Sequence, residues 1–457
     1  MATKSLKFQI ICPAAPQFRI ASGGTASFRT RIFRFSMLSA LSVAACAPPD
    51  VQTEVVDENV EAIDFDTDAD IIGVSFMTYN APRAYEIAGR FRENGKTVLF
   101  GGYHPSLMPE EAAEHADAVC IGEAEANLPR MIDDYRNRRL EKFYRFPYPE
   151  FRAPQVNPQL LRARDYMWAS VVQATRGCHH RCEFCSVSAF SEHTFKRKPI
   201  ENVVAEIRTG GKRRVLFIDD NLAADPDYLK ALLRALVPLR IHWYSQIAFS
   251  VTLDAELLDR MPRSGCRGVF IGFESLVQES LVETGKGFNR AAEYKRGIEA
   301  LHRRGIAVIA AFVLGYDHDG PEVFDRTLQF LEDAPADALQ LTVLTPFPGT
   351  QLFRRLEREG RIHDRNWEHY DLGHVTFTPR NMTAADLENG HNLILSRFYS
   401  WPSILRRLWR QAHYLGPAEL GLLALLGWGY RLKIRSDGYI PEAGRRSDAS
   451  PATAAKS

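Results

Sequence analysis

Residues 170–185 read Ser-Val-Val-Gln-Ala-Thr-Arg-Gly-Cys-His-His-Arg-Cys-Glu-Phe-Cys, an apolar run followed by Cys178, Cys182 and Cys185 in C-x3-C-x2-C spacing. Thiolates so spaced can ligate three irons of a [4Fe–4S] cluster, which usually has four cysteine ligands, so that one iron is left open. A structural zinc ion is the competing reading. It needs four protein ligands in tetrahedral geometry and would have to recruit His179 or His180. Zinc ligands normally include a second C-x2-C pair, and none follows in this chain.

Towards the carboxyl terminus, the apolar run is the first of six predicted strands, at 170–174, 215–218, 243–248, 268–272, 307–314 and 338–344. Helical periodicity alternates with them near 200–208, 225–236, 254–262, 289–304 and 320–333. Six such units predict a partial (β/α)6 TIM-like barrel over residues 165–380. The cysteine loop follows the first strand and so falls on the carboxyl-end face, where barrel enzymes place their chemistry.

Towards the amino terminus, strands at 6–12, 51–56, 70–76, 97–100 and 118–121 alternate with helices at 35–45, 82–94, 109–115 and 124–135. This pattern predicts a flavodoxin-like (Rossmann-like) doubly wound α/β domain over residues 1–140. Ligands of such sheets bind outside the carboxyl ends of the strands, where the loops 77–81, 101–106 and 122–125 fall. Residues 141–164, with Pro147, Pro149, Pro154 and Pro158, read as an extended linker. A helical carboxyl-terminal region is predicted over 381–440, from helices at 384–399, 403–412 and 418–432. Residues 441–457, rich in Ala and Ser, read as a disordered tail.

Lys plus Arg (57) nearly balances Asp plus Glu (56), for a formal charge of +1. That balance supplies no global basic field for nucleic acid. Seven cysteines, of which three cluster, do not make a secreted disulfide framework. A reducing cytoplasm suits an oxygen-sensitive cluster better. One run points the other way: Arg31–Arg34, the apolar residues after them and Cys46 read like the charged, apolar and lipobox segments of an exported lipoprotein. An internal helix at 35–46 packed on the sheet is the preferred reading. The segment 401–413 sets Trp401, Ile404, Leu405, Leu408 and Trp409 among Arg406, Arg407 and Arg410. It suits a basic amphipathic helix in peripheral contact with a membrane, with packing against the barrel as the alternative.

The cysteine motif resembles the signature of the radical S-adenosylmethionine superfamily. The resemblance implies that the open iron chelates S-adenosylmethionine and that an electron from the reduced cluster yields a 5′-deoxyadenosyl radical. It implies that Phe184 packs near the adenine and that Asp219 and Asp220, with Asn221, hold the amino group. Gly272, Glu274 and Ser275 would lie near the ribose and adenine, and Gln246 would make a polar contact inside the barrel. Strand-ending turns and helix caps are the plainer readings of Asp220 and Asn221.

The loops at 315–317 and 345–350 are similar to those of the subset that carries a cobalamin-binding domain, as are Gly101-Gly102-Tyr103-His104-Pro105-Ser106 and Gly122-Glu123-Ala124-Glu125. The resemblance implies a cobalamin-binding role for Gly101, Gly102, His104, Gly122 and Glu123. The chain departs from the better-known pattern: no Asp-x-His-x-x-Gly occurs, so no obvious histidine would ligate cobalt, and a loop-stabilising role suits His104. The implied function is methylation of an unactivated carbon in a small-molecule or lipid-like substrate, with flavodoxin or ferredoxin as electron donor. Oxidative cyclisation, carbon–carbon coupling or rearrangement is the alternative chemistry. A non-catalytic cobalamin or iron–sulfur binding protein is the alternative from another class.

Overall fold

The first apolar run forms strand β1 (Lys7–Cys12) in the computed structural model, which describes residues 5–14, 34–147, 151, 156–162, 166, 170–334 and 336–436. Arg31, Ile32 and Phe33 of the lipobox-like run, Pro149 and Pro154 of the expected linker, and the tail at 441–457 lie outside the described residues. Around β1 assemble α1 (Leu38–Ala45), β2 (Gln52–Asp57), β3 (Ile71–Ser75), α2 (Ala81–Glu93), β4 (Thr97–Gly101), α3 (Tyr103–Leu107), α4 (Pro109–His115), β5 (Ala118–Cys120), α5 (Ala124–Arg136) and β6 (Phe143–Tyr144). The strands pair in parallel in the order β2-β1-β3-β4-β5-β6. This is the flavodoxin-like order with a sixth strand added.

Alternation along β1 sorts its side chains between two layers. Phe8 and Ile10 face α1 and α5 through Leu41, Leu128 and Met131. Ile11 joins Ile72 and Val74 against Ile87 and Phe91 of α2. Burying each such side chain contributes roughly 1.5–3 kcal/mol. The apolar segment before Cys46 is thus a core helix of this domain, beginning at Leu38 rather than Phe35.

The second sheet is built from β7 (Val171–Val172), β10 (Arg214–Phe217), β11 (His242–Ile247), β12 (Cys266–Glu274), β13 (Ala307–Leu314) and β14 (Ala338–Val343), parallel and in chain order. Strand β7 stops at Val172, not Ala174, because the Asp219 carboxylate takes the Ala174 and Thr175 amides out of the ladder. A two-stranded antiparallel ribbon follows, β8 (Thr175–Gly177) with β9 (Phe195–Arg197), and the short helix α6 (Ser186–Phe190) lies between its strands in the chain. Helices α7 (Ile200–Gly210), α8 (Pro226–Leu236), α9 (Ala255–Arg263), α10 (Gln278–Glu283), α11 (Tyr294–His302) and α12 (Glu322–Asp333) connect the later strands. The core between sheet and helices is aromatic, with Phe217, Trp243, Phe273, Tyr294 and Phe312 essentially buried. The six strands of the partial barrel come in the expected order, but besides the early end of β7 and the added ribbon, β12 extends beyond the expected 268–272 and α10 is not among the expected helices.

Three helices close the chain: α14 (Ala384–Phe398), α15 (Trp401–Gln411) and α16 (Pro417–Ser436), after α13 (Gln351–Arg358). Helix α15 begins two residues before the expected 403. These helices cover the free edge of β14, which would otherwise present unpaired backbone groups. The Tyr399 hydroxyl accepts from Leu339 N at 3.1 Å and donates to Leu339 O at 2.7 Å, while His391 Nε2 meets Leu341 O at 3.1 Å. Among the described residues no helix is long and apolar enough to cross a membrane.

Candidate active site

The ribbon β8–β9 brackets the cysteine loop. Gly177, just before Cys178, has φ +78, and a Cβ there would stand 2.3 Å from Thr194 O, so only glycine allows the ribbon to close. Cys182 is buried, and Cys178 and Cys185 are half-buried. The loop is pinned from two sides. Glu183 N donates to Thr284 O at 3.0 Å, and Leu352 N donates to Glu183 O at 3.1 Å. Gly285, φ +76, lies so close that a Cβ would come within 2.9 Å of Arg181 O.

Arg355 of α13 completes the clamp, with Nε 2.6 Å from Glu183 Oε1 and Nη1 2.6 Å from Asp317 Oδ2. Burial would raise the Asp317 carboxyl, but Arg361 and Arg355 outweigh it and hold it below the usual carboxylate range. The loop after β13 therefore acts on the cysteines through an arginine that the sequence alone does not single out.

Three thiolates alone fall one ligand short of a structural zinc site. Among the described residues no three His, Cys, Asp or Glu groups converge on a single-metal site, and the His180 ring is stacked on Phe288 at 4.4 Å. A cubane needs each thiolate to reach a different iron, not one common point. Burial pushes the Cys182 thiol up to about 12, opposed by nearby Lys286, so a metal bound there would have to displace a proton.

Around this loop the expected S-adenosylmethionine residues divide into two groups. Asp219 is turned away from any ligand: besides the Ala174 and Thr175 amides, it accepts the Thr175 hydroxyl at 2.6 Å. Burial raises it to about 7 in spite of these bonds. These bonds end β7 at Val172 and engage the Asp219 carboxylate with the backbone. Ser275 likewise uses Oγ to accept from Val277 N at 2.9 Å. Asn221 Oδ1 serves the amides of Ala223 and Ala248. Asp220 is left as the acid at this strand end, accepting from Gly177 N at 3.0 Å.

Glu274 occupies a β12 bulge at φ +68, a costly conformation for a residue with a Cβ. It forms an ion pair with Lys286. Gly272 leaves the space for that pair, since a Cβ there would be 2.2 Å from Glu274 Oε1 and 3.0 Å from Lys286 Nζ. Lys286 is a residue that sequence reasoning misses; Gly285 and Gly287 on either side of it are the available signal. Gln246 is exposed on the sheet face away from the helices. Phe184 meets Tyr316 edge-on at 6.0 Å.

In the first domain, Gly102 has φ +103, and a Cβ on it would fall 2.7 Å from Phe76 O. Ser106 Oγ donates to Gly102 O at 2.7 Å and accepts from Gly122 N at 2.9 Å. The two glycine loops are thereby joined. His104 is fully buried and has a partner at each ring nitrogen, Tyr85 Oη 3.0 Å from Nε2 and Thr78 Oγ1 3.3 Å from Nδ1. Glu111 accepts from Tyr85 Oη at 2.9 Å and from Trp367 Nε1 at 2.8 Å. His104 is thus tied into a network that holds its loop, in keeping with the loop-stabilising role expected of it. Glu123 is also committed, to Arg176 Nη1 at 3.1 Å and to Lys196.

Both sets of strand ends open into one cavity of about 1860 Å³, well beyond the roughly 300–1,000 Å³ of ordinary small-molecule sites. Gly101, Gly102, Tyr103 and Gly122 line it from the first domain and Gly177, Asp220 and Thr342 from the second. One arm runs down between the first sheet and its helices past Ile10, Gly73, Leu99 and Met131. Tyr103 is stacked on Phe190 of α6, ring centroids 4.5 Å apart, where the domains meet.

Family models match the chain in three places: the B12 binding domain over 39–132, the Radical SAM superfamily over 172–331 and a domain of unknown function over 350–422. A bacteriochlorophyllide d C-12(1)-methyltransferase of Chlorobaculum tepidum is 29% identical over 74% of this chain and 76% of its own. A hopanoid C-2 methylase of Rhodopseudomonas palustris is 27% identical over 72% of this chain and 66% of its own. The solved radical S-adenosylmethionine methyltransferase TsrM from Kitasatospora setae, with cobalamin and a [4Fe–4S] cluster bound, shares the fold with a TM-score of 0.61 at 16% identity, covering 78% of this chain and 75% of that one. The chain belongs to the radical S-adenosylmethionine superfamily, in the group that carries a B12-binding domain.

The residues present fit the cofactors of that group. Cys178, Cys182 and Cys185 would hold the cluster. The glycine loops and the long arm beneath them fit a bulky nucleotide-bearing cofactor.

Proposed function

We propose that this protein is an S-adenosylmethionine-dependent C-methyltransferase acting on an unactivated carbon of a hydrophobic small molecule. The observation that carries this reading is the single cavity onto which the strand ends of both sheets open. When bound, the cluster with S-adenosylmethionine supplies hydrogen abstraction and cobalamin supplies a transferable methyl group, while the protein supplies orientation and shelter from water.

Each part of the chain has a defined task in that scheme. The clamp of Glu183, Arg355 and Asp317 fixes the cysteine loop. Asp220 offers an acceptor to an ammonium group, and the Glu274–Lys286 pair places one charge of each sign beside the cysteine loop. Apolar residues Leu339, Leu341, Leu395 and Ile434 line another part of the cavity. They support a hydrophobic substrate, in keeping with the bacteriochlorophyllide and hopanoid in the names of the two relatives. A low-potential donor of the flavodoxin or ferredoxin type would supply the electron.

The test is anaerobic reconstitution with iron, sulfide and corrinoid, followed by incubation with methyl-labelled S-adenosylmethionine, reductant and a panel of tetrapyrroles and polycyclic terpenoids. The expected result is reductant-dependent 5′-deoxyadenosine together with label in one product. Label absent from a ring-closed product would replace methylation by cyclisation. No 5′-deoxyadenosine, or the same amount from Cys182→Ala, would overturn the radical reading.

A further inference from the structure

Helix α15 has reversed polarity for a surface helix. Its inner face carries Ile404, Arg407 and Gln411, all buried. Arg407 Nη1 donates to Phe398 O at 2.6 Å and to Ser403 Oγ at 2.7 Å, closing the end of α14 much as a basic residue caps a helix carboxyl terminus. Its outer face carries Trp401, Leu405 and Trp409, exposed by 46%, 60% and 68%. Four-residue spacing puts these three on one stripe. Isolated exposed apolar residues are ordinary. A stripe of three large ones, on a helix that buries an arginine instead, calls for a partner.

Charge indicates which partner. From Arg397 to Ala418 the chain has four arginines and no Asp or Glu, and Arg397 and Arg406 are exposed. An apolar stripe beside cations matches an anionic lipid surface. Tryptophan sits there at headgroup level, and nearby basic residues strengthen binding to anionic headgroups. A second copy across a two-fold axis would set the same arginines near one another, which disfavours self-association. Position adds a further argument. The Arg431 guanidinium lies 5.5 Å from the Trp401 ring centroid, and the adjacent Tyr430 lines the cavity together with Leu339, Leu395 and Ile434.

We propose that α15 seats the protein on an anionic bilayer and that the part of the cavity lined by Leu339, Leu341, Leu395 and Ile434 takes a lipophilic substrate from that surface. The second half rests on the function proposed above; the first does not. Full-length protein would be sedimented with vesicles of phosphatidylcholine alone or with about one-third phosphatidylglycerol. Expected are binding to the anionic vesicles, at least about tenfold weaker binding to neutral ones, and weakening by salt. The triple variant Trp401→Ser, Leu405→Ser, Trp409→Ser should bind anionic vesicles at least about tenfold less, with an unchanged melting temperature and unchanged 5′-deoxyadenosine formation. Arg406→Glu should weaken only the anionic preference.

Equal sedimentation of wild type and triple variant, or none with either vesicle, overturns the proposal. So does a dimer, seen by light scattering, that the triple variant dissolves, because the stripe would then cover a second copy. Vesicle binding requires no turnover. Failure of methyl transfer with vesicle binding intact would remove the proposed reaction and leave the docking surface in place, and the opposite pattern would remove the surface alone.

Discussion

Arg176 Nη1 lies 2.7 Å from Glu125 Oε1, tying the strand that delivers the cysteines to the loop that follows β5. Both side chains are largely buried, at 18% and 7% exposure. Arg176→Met would leave Glu125 uncompensated at a cost of about 3–5 kcal/mol. Adding Glu125→Leu should recover more than half of that loss, since Glu123 keeps Lys196. Thermal unfolding of the single and double variants checks the ranking.

Gly272→Ala sets a methyl group 2.2 Å from Glu274 Oε1 and must displace the Glu274–Lys286 pair. Iron content should stay near wild type, because the cysteine loop is held elsewhere. Binding of S-adenosylmethionine should fall by at least about tenfold, or about 1.4 kcal/mol. Metal analysis alongside equilibrium dialysis separates the two effects.

Acid should loosen the contact between Glu111 and Trp367. Burial alone would raise the Glu111 carboxyl, yet the nearby His104 ring and hydrogen bonds from Trp367 and Tyr85 outweigh it and hold it below its ordinary 4.5. A depressed carboxylate contributes stability that is present above 4.5 and is lost as pH falls through the lower folded value. Stability should therefore decline below about pH 4.5, with a shift in Trp367 emission. The Glu111→Gln variant should lack this component of the acid response.

His104→Ala tests whether this histidine reaches cobalt. It removes one partner from each of the Tyr85 and Thr78 hydroxyls and should cost about 1–3 kcal/mol of stability. The visible spectrum of bound corrinoid should match that of the wild type, because both ring nitrogens already have protein partners.

The parts of the fold legible in the sequence are those with long periodic signals. Strand β13 coincides with its expected 307–314, and the six-residue strands β1, β2, β11 and β14 lie within one residue of expectation. Strand β6 falls inside the expected linker because Phe143 and Tyr144 are too few to show a period. The ribbon β8–β9 is hidden because Thr175-Arg176-Gly177 reads as the approach to a metal motif. In the site, residue types at strand ends are readable but their directions are not. Asp219 and Asp220 are adjacent, and only the fold shows that one ends a strand while the other lines the cavity. Lys286 and Arg355 act through partners distant in sequence, Glu274 and Glu183, and no local pattern connects them.

At Gly349 a Cβ would stand 2.8 Å from Leu107 Cδ2, so a loop of the barrel rests directly on helix α3 of the first domain. The junction admits almost no change in shape. A hybrid made by joining the first domain to the barrel of a distant relative would bring together two surfaces that were never fitted to each other. Exchange of halves among such proteins should succeed only when the Gly349 loop travels with its α3 counterpart, which makes the pair, rather than either domain, the unit of inheritance.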